Sequence, residues 1–315
     1  MLLLLRFFVI TIKETNNIKL IALLLVGILA VSSSAIWIRL AMQAANNYTW
    51  EFSLFLAGSR LLISALMLLP FSYKFRLGKT NFSTFLAAAI AGLCLAIHFA
   101  SWVSSLAFTS ITASTTLVTT TPIWVALYSR FFRQEKLNKT TLIGIGISFV
   151  GGIIIAFAGA TSNPHSDNPF FGNGLALLGA IMVSFYLLLS NKAQQAGLSI
   201  GNFVLVAYST AAVFLLPVLI ILQISYKIDY KAYNPQVYLY VVLMAVVCQL
   251  IGHTSFNWAL QSISPTFVAL IVLLEPIIAG TMGVFVFGEI PPIQTIYGGC
   301  VLILGIILAI VGKNN

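Results

Sequence analysis

The residues able to do chemistry are few and sit where their types are costly. Glu275 and Pro276 stand side by side in the apolar run "IVLLEPIIAG", Arg60 interrupts "GSRLLISALMLLP", and His98 and His253 each lie among aliphatic neighbours. A carboxylate in such a place has three chemical uses: it can titrate, hold a ligand ammonium, or neutralise Arg60. Proline removes an amide donor and clashes one turn back, so Pro122 and Pro276 free carbonyls near Val118 and Val272. Thr119, Thr120 and Thr121 carry hydroxyls that can cover such carbonyls. The two histidines either line a polar path or pack through hydrogen bonds; without a carboxylate at ligand spacing they make a poor metal site. No metal or organic cofactor is expected, and a carboxylate that titrates there could take up and release a proton. Trp37, Trp102, Tyr186 and Asn257 would give walls suited to a neutral or zwitterionic, partly apolar ligand, although each ring alone fits a lipid-facing position equally well.

The elements that must position these groups follow from composition. Of 315 residues 60% are hydrophobic and only 7% charged, against about 45–50% and 25% in soluble domains. These values exclude a soluble globule and a disordered chain, and define an integral membrane protein. A membrane-crossing helix needs about 20 apolar residues, and ten such spans are predicted: 18–42, 51–73, 82–108, 111–132, 139–160, 172–192, 202–226, 237–260, 265–287 and 293–312. Arg60 falls about nine residues into span 2, roughly 14 Å deep. An ion at that depth costs roughly 3 kcal/mol. Span 9 nevertheless carries thirteen Leu, Ile, Val or Phe residues, worth roughly 4–8 kcal/mol, so it inserts with Glu275 unpaired.

The net charge of +9 is spread through short loops and forms no basic face with interleaved aromatics, which argues against nucleic acid. With the N-terminus in the cytosol, twelve Lys and Arg fall inside and two, Lys227 and Lys231, outside, while Arg39 and Arg60 lie within spans. Both termini are therefore expected in the cytosol, with Arg39 snorkelling at the outer end of span 1. Residues 1–17 read as a cytosolic extension and 161–171 as an external loop. Cys94, Cys248 and Cys300 stand singly and suggest neither a disulfide framework nor zinc. "GLSIG", residues 197–201, matches the nucleophile-elbow pattern but falls between helices, where that pattern has no catalytic frame. No enzymatic activity is expected.

A repeat runs through the chain. Thr112, Pro122, Phe131, Glu135, Thr141, Gly144 and Gly151 recur as Thr266, Pro276, Phe285, Glu289, Thr295, Gly298 and Gly305, each 154 positions later; for the prolines, 276 − 122 = 154. The histidines nearly obey it, at 253 − 98 = 155. Five spans per copy is an odd number, so the second copy, residues 172–315, enters the membrane inverted relative to the first, 18–160. Inverted repeats belong to secondary transporters, in which exchanging the conformations of similar halves opens a midplane site to alternate sides. Glu275 breaks the symmetry, because its position in the first copy is Thr121. In span 5, Gly144, Ser148 and Gly152 recur at four-residue spacing, and with Gly298 and Gly305 of span 10 they read as a helix-packing surface.

The blocks "LAFTSITASTTLVTTTPIWVALYSRFFRQEKLNKTTLIGIGISFVGG" and "FNWALQSISPTFVALIVLLEPIIAGTMGVFVFGEIPPIQTIYGGCVLILG" resemble the two EamA repeats of the drug/metabolite transporter superfamily. The resemblance implies an all-α, ten-span, monomeric carrier in the cell membrane that exports amino acids or related small metabolites by alternating access. Its cavity would be lined by Trp37, Arg60, His98, Trp102, Thr119, Tyr186, His253, Asn257 and Glu275, at the helix breaks before Pro122 and Pro276, with spans 5 and 10 as braces. Two alternatives stay open. An exchanger of organic anions or phosphorylated sugars needs several cavity cations, and a non-transporting scaffold needs no polar cavity.

Overall fold

A computed structural model describes residues 18–74, 81–133, 138–158, 168–226, 228–230, 232–288 and 290–314. The expected extension 1–17 and most of the expected external loop lie outside them. Among the described residues every regular element is helical. Span 1 is α1 (Ile18–Ser32) and α2 (Ser34–Ala45), span 2 is α3 (Trp50–Leu68) prolonged by a 3₁₀ turn, and span 3 is α4 (Phe82–Phe108). Span 4 divides into α5 (Ile111–Val118) and α6 (Thr121–Arg133), span 5 is α7 (Lys139–Ala158), span 6 is α8 (Pro169–Gln195), and span 7 is α9 (Ile200–Tyr226). Span 8 runs through α10 (Pro235–Leu243), a π-helical segment (Met244–His253) and α11 (Thr254–Ala259). Span 9 divides into α12 (Pro265–Val272) and α13 (Glu275–Phe287), and α14 (Ile293–Asn314) is span 10. Among the described residues seven spans are long and apolar enough to cross a bilayer as they stand, and spans 5 and 10 are shorter apolar helices.

Local chemistry sets the boundaries. Span 6 starts three residues earlier than its apolar run suggests, because Asn168 caps it by accepting from the Phe171 amide at 3.1 Å and Pro169 occupies the first turn. Ser110 and Ser264, 154 positions apart, cap α5 and α12 in the same way through the amides of Ala113 and Phe267. Both helices then break one turn before their proline, at Thr119–Thr120 and Leu273–Leu274. Thr120 Oγ1 donates to the Leu117 carbonyl at 2.8 Å and Thr121 Oγ1 to that of Val118 at 3.1 Å, so the freed carbonyls of span 4 are covered by its own threonines. Span 9 has no hydroxyls there and closes with 3₁₀-type bonds from Leu273 to Leu270 and Leu274 to Ile271.

Spans 5 and 10 form the largest helix pair. A Cβ on Gly144 would strike the Ala309 amide and the Gly305 carbonyl, and one on Gly151 would strike the Leu302 amide and the Gly298 carbonyl. The low end of one helix thus meets the high end of the other, an antiparallel crossing. Exchanging the repeats turns the pair Gly144–Gly305 into Gly298–Gly151, so the contact maps onto itself, as a twofold axis requires. Backbone touches backbone along this seam, and only glycine leaves room. Gly152 is not part of it: the nearest atoms to a Cβ there are Leu117 Cδ2 and Leu302 Cδ1, at 3.8 and 4.0 Å.

The π segment accounts for the histidine offset. From its capping asparagine, span 3 takes 98 − 81 = 17 residues to reach His98, whereas span 8 takes 253 − 234 = 19 to reach His253. Wider i→i+5 turns absorb the two extra residues while keeping the imidazole beside its counterpart.

Candidate functional site

A cavity of about 540 Å³, counting its open mouth, lies between the two broken helices. From span 4 it is lined by Val118, Thr119 and Thr121, and from span 9 by Val272 and Glu275, so both carbonyl-bearing valines at the breaks face it. Spans 3 and 8 contribute His98, Trp102, His253 and Phe256, span 6 contributes Val183, Tyr186 and Leu187, and span 1 contributes Val31. His98, Trp102, Thr119, Tyr186, His253 and Glu275 thus meet in one place, as does the pair of breaks before Pro122 and Pro276.

The His98 and His253 rings lie 6.4 Å apart, and Phe99 makes edge contacts with both. His98 Nδ1 is 2.9 Å from the Gly179 carbonyl. Because that oxygen only accepts, Nδ1 carries the proton and Nε2 is the basic end. The His98 ring stacks on Trp102 at 6.0 Å, within 9° of parallel.

Glu275 is only 4% exposed, His253 9%, and no hydrogen bond or ion pair from the described residues reaches either side chain. Both line the cavity, so a polar group that enters it can reach them. The burial of Glu275 is offset in part locally, because it is the first residue of α13 and its carboxylate sits at the positive end of that helix.

Arg60 is not the partner of Glu275. It is fully buried outside the cavity, donating from Nη1 to Ser34 Oγ at 2.8 Å and from Nη2 to Gln249 Oε1 at 3.1 Å, with its guanidinium 4.1 Å from the centre of the Phe99 ring. It ties spans 1, 2, 3 and 8 together behind the cavity wall. Asn257, also expected in the lining, is fully buried instead. Its Nδ2 donates to the Tyr186 hydroxyl and its Oδ1 accepts from Ser190 at 2.9 Å, which turns the Tyr186 hydroxyl toward span 8 and leaves the ring to the cavity. Trp37 likewise stands away: it stacks on Tyr240 at 6.0 Å and donates to Ser33 Oγ at 3.1 Å. Arg39 does not snorkel. It is buried and donates to the carbonyls of Leu106 and Thr109, capping the C-terminus of α4. Ser199 of "GLSIG" lies in the turn between α8 and α9, where its Oγ accepts from the Asn202 amide at 3.4 Å.

Gln249 was not singled out from sequence, although an amide in the run "VVCQLIGH" is as conspicuous as the histidine that follows it. Phe256 and the lining valines carry no such signal.

A twofold pair of five-span helical units, broken at matching prolines around one midplane cavity, defines a membrane carrier of the inverted-repeat class. The EamA-like transporter family matches twice, over residues 19–157 and 170–311, and the chain belongs to it. It is 24% identical over 295 residues to a protein of Archaeoglobus fulgidus described as an uncharacterized transporter, covering 93% of this chain and 97% of that one. It is 26% identical over 252 residues to the transporter YxxF of Bacillus subtilis, at 78% and 76% coverage. A solved crystal structure of a protein 15% identical superposes with a TM-score of 0.61 over 92% of this chain and 96% of that chain, a likeness of fold. The protein is a membrane transporter.

Proposed function

We propose that this transporter exports an amino-acid-like or related amphipathic metabolite by alternating access, with Glu275 as the group that recognises its ammonium and exchanges it for a proton. The observation that carries this reading is the buried, unpartnered carboxylate of Glu275 in a cavity between two broken helices. An ammonium beside it would replace the missing partner. Its opposite pole would find the N-terminus of α6, and an apolar substituent would find Trp102, Tyr186 and Phe256. Both termini lie in the cytosol on this reading, supported by the twelve-to-two distribution of basic residues.

The anion-exchanger reading draws little support. Arg60 is committed to Ser34 and Gln249, Arg39 to backbone carbonyls, and the formal charge in the cavity lining is negative.

The test is flux in proteoliposomes across a panel of amino acids, amines and organic anions, with and without a pH gradient. The expected result is gradient-driven movement of an amino-bearing solute, lost in Glu275→Gln. Movement of anions alone, or gradient-driven flux undiminished in Glu275→Gln, would overturn the proposal.

A further inference from the structure

A second crevice, about 570 Å³ counting its mouth, lies on the opposite side of the span 4 break. Its walls are Leu117, Thr120, Ile123 and Trp124 of span 4, Ser148, Phe149, Gly152 and Ile153 of span 5, Asn173 and Leu177 of span 6, and Leu302 of span 10. The turn Val118–Thr121 is therefore a shared wall: Val118, Thr119 and Thr121 face the central cavity and Thr120 faces this crevice.

The mouth opens on the bilayer side of the bundle. Phe149 and Ile153 are 51% and 55% exposed, on a helix whose other outward residues, Leu142, Ile143, Val150 and Phe157, are also large and apolar. What the walls offer is carbon. Thr120 Oγ1 donates to Leu117 and accepts from Trp124 Nε1 at 3.1 Å, Ser148 Oγ donates to the Gly144 and Leu302 carbonyls, and Asn173 has a partner within the fold, which leaves its Oδ1 as a single open acceptor, short of the roughly two to four partners a trapped water needs.

The crevice is a departure from the twofold symmetry. Where the first repeat has Thr120, Ser148 and Gly152, the second has Leu274, Leu302 and Ile306. The last two are fully buried. Ser148 and Leu302 are symmetry mates that both line this crevice, so the departure lies at Thr120 and Gly152, where the second repeat carries the larger Leu274 and Ile306.

We propose that an acyl chain of a membrane lipid occupies this crevice and lies against the outer face of the span 4 break. Water finds no unspent hydroxyl or indole N–H there, and an empty space beside the hydrocarbon layer forfeits the dispersion contacts a chain would supply. The mouth lies where acyl chains are the surrounding solvent. The inference is independent of which solute the central cavity takes.

The experiment uses the full chain in phosphatidylcholine vesicles whose acyl chains are brominated at mid-depth, with the emission of Trp124 isolated by difference from Trp124→Phe. Bromine in the crevice quenches Trp124, so this component should lose most of its intensity. Gly152→Ile, which installs the residue of the second repeat where a Cβ has room, should restore it while the other tryptophans are unchanged. An unquenched Trp124 component in the parent protein, equal quenching in Gly152→Ile, or quenching by aqueous iodide in place of the lipid bromine would each overturn the proposal. The parent comparison stands alone if Gly152→Ile does not fold.

Discussion

Arg60 and Glu275 carry opposite charges within one bundle, and simple electrostatics would join them. Geometry separates their tasks. Arg60 donates to Ser34 and Gln249 and lays its charge on the face of Phe99, whereas Glu275 makes no hydrogen bond or direct ion pair with the described residues. Truncating Arg60 removes two charge-assisted bonds and strands the Gln249 amide oxygen, so Arg60→Ala should cost about 1–3 kcal/mol of stability. Glu275→Gln removes a buried charge that no hydrogen bond or direct ion pair from the described residues holds and should melt within about 0.5 kcal/mol of the parent or above it. Thermal unfolding of the purified variants in detergent reads both. A loss in Glu275→Gln as large as in Arg60→Ala would mean that the carboxylate has a structural partner after all.

At the scale of elements, neighbouring glycines of span 5 have opposite roles. Gly151 faces the backbone of span 10, so Gly151→Ala should overpack the seam and cost about 1–3 kcal/mol, and Gly305→Ala should do the same from the other side. Gly152→Ala meets only side-chain carbons at 3.8 Å or more and should be neutral or stabilising, since alanine is the better helix former. Equal melting temperatures for Gly151→Ala and Gly152→Ala would refute the assignment of the seam. These two residues also indicate how far the sequence could be read. Small residues at four-residue spacing suggested Gly144, Ser148 and Gly152, but at about 100° per residue the eighth position has turned about 80° off the stripe and the seventh only about 20°. The repeat register, which pairs Gly151 with Gly305, already held the better answer. Positions fixed by covalent geometry were legible in the same way: both proline breaks fall one turn upstream, at residues the prolines dictate. Side-chain direction was not. Within an apolar span nearly every face is hydrophobic, so little marks which polar residue looks inward. His253 lines the cavity and Asn257, one turn on, does not, just beyond a π segment that shifts the helical phase by an amount no α-helical periodicity contains.

For the molecule as a whole, the repeat spacing of 154 and the antiparallel glycine seam describe one unit used twice, with spans 5 and 10 locked backbone to backbone while spans 4 and 9 carry the breaks. Two identical halves that trade conformations would reach two end states of equal free energy, and the resting protein would divide evenly between them. The halves here differ at the breaks themselves: Glu275 stands opposite Thr121. Since about 1.4 kcal/mol is a tenfold ratio, even the modest cost of one buried carboxylate is enough to tip that balance decisively. Distances between spin labels on opposite ends of spans 4 and 9 should therefore show one dominant resting population in the parent protein and a more even division in Glu275→Thr. If alternating access is the mechanism, the lone carboxylate would act as a thumb on the scale: it would set which side of the membrane the empty carrier waits on, and hence which compartment is sampled first.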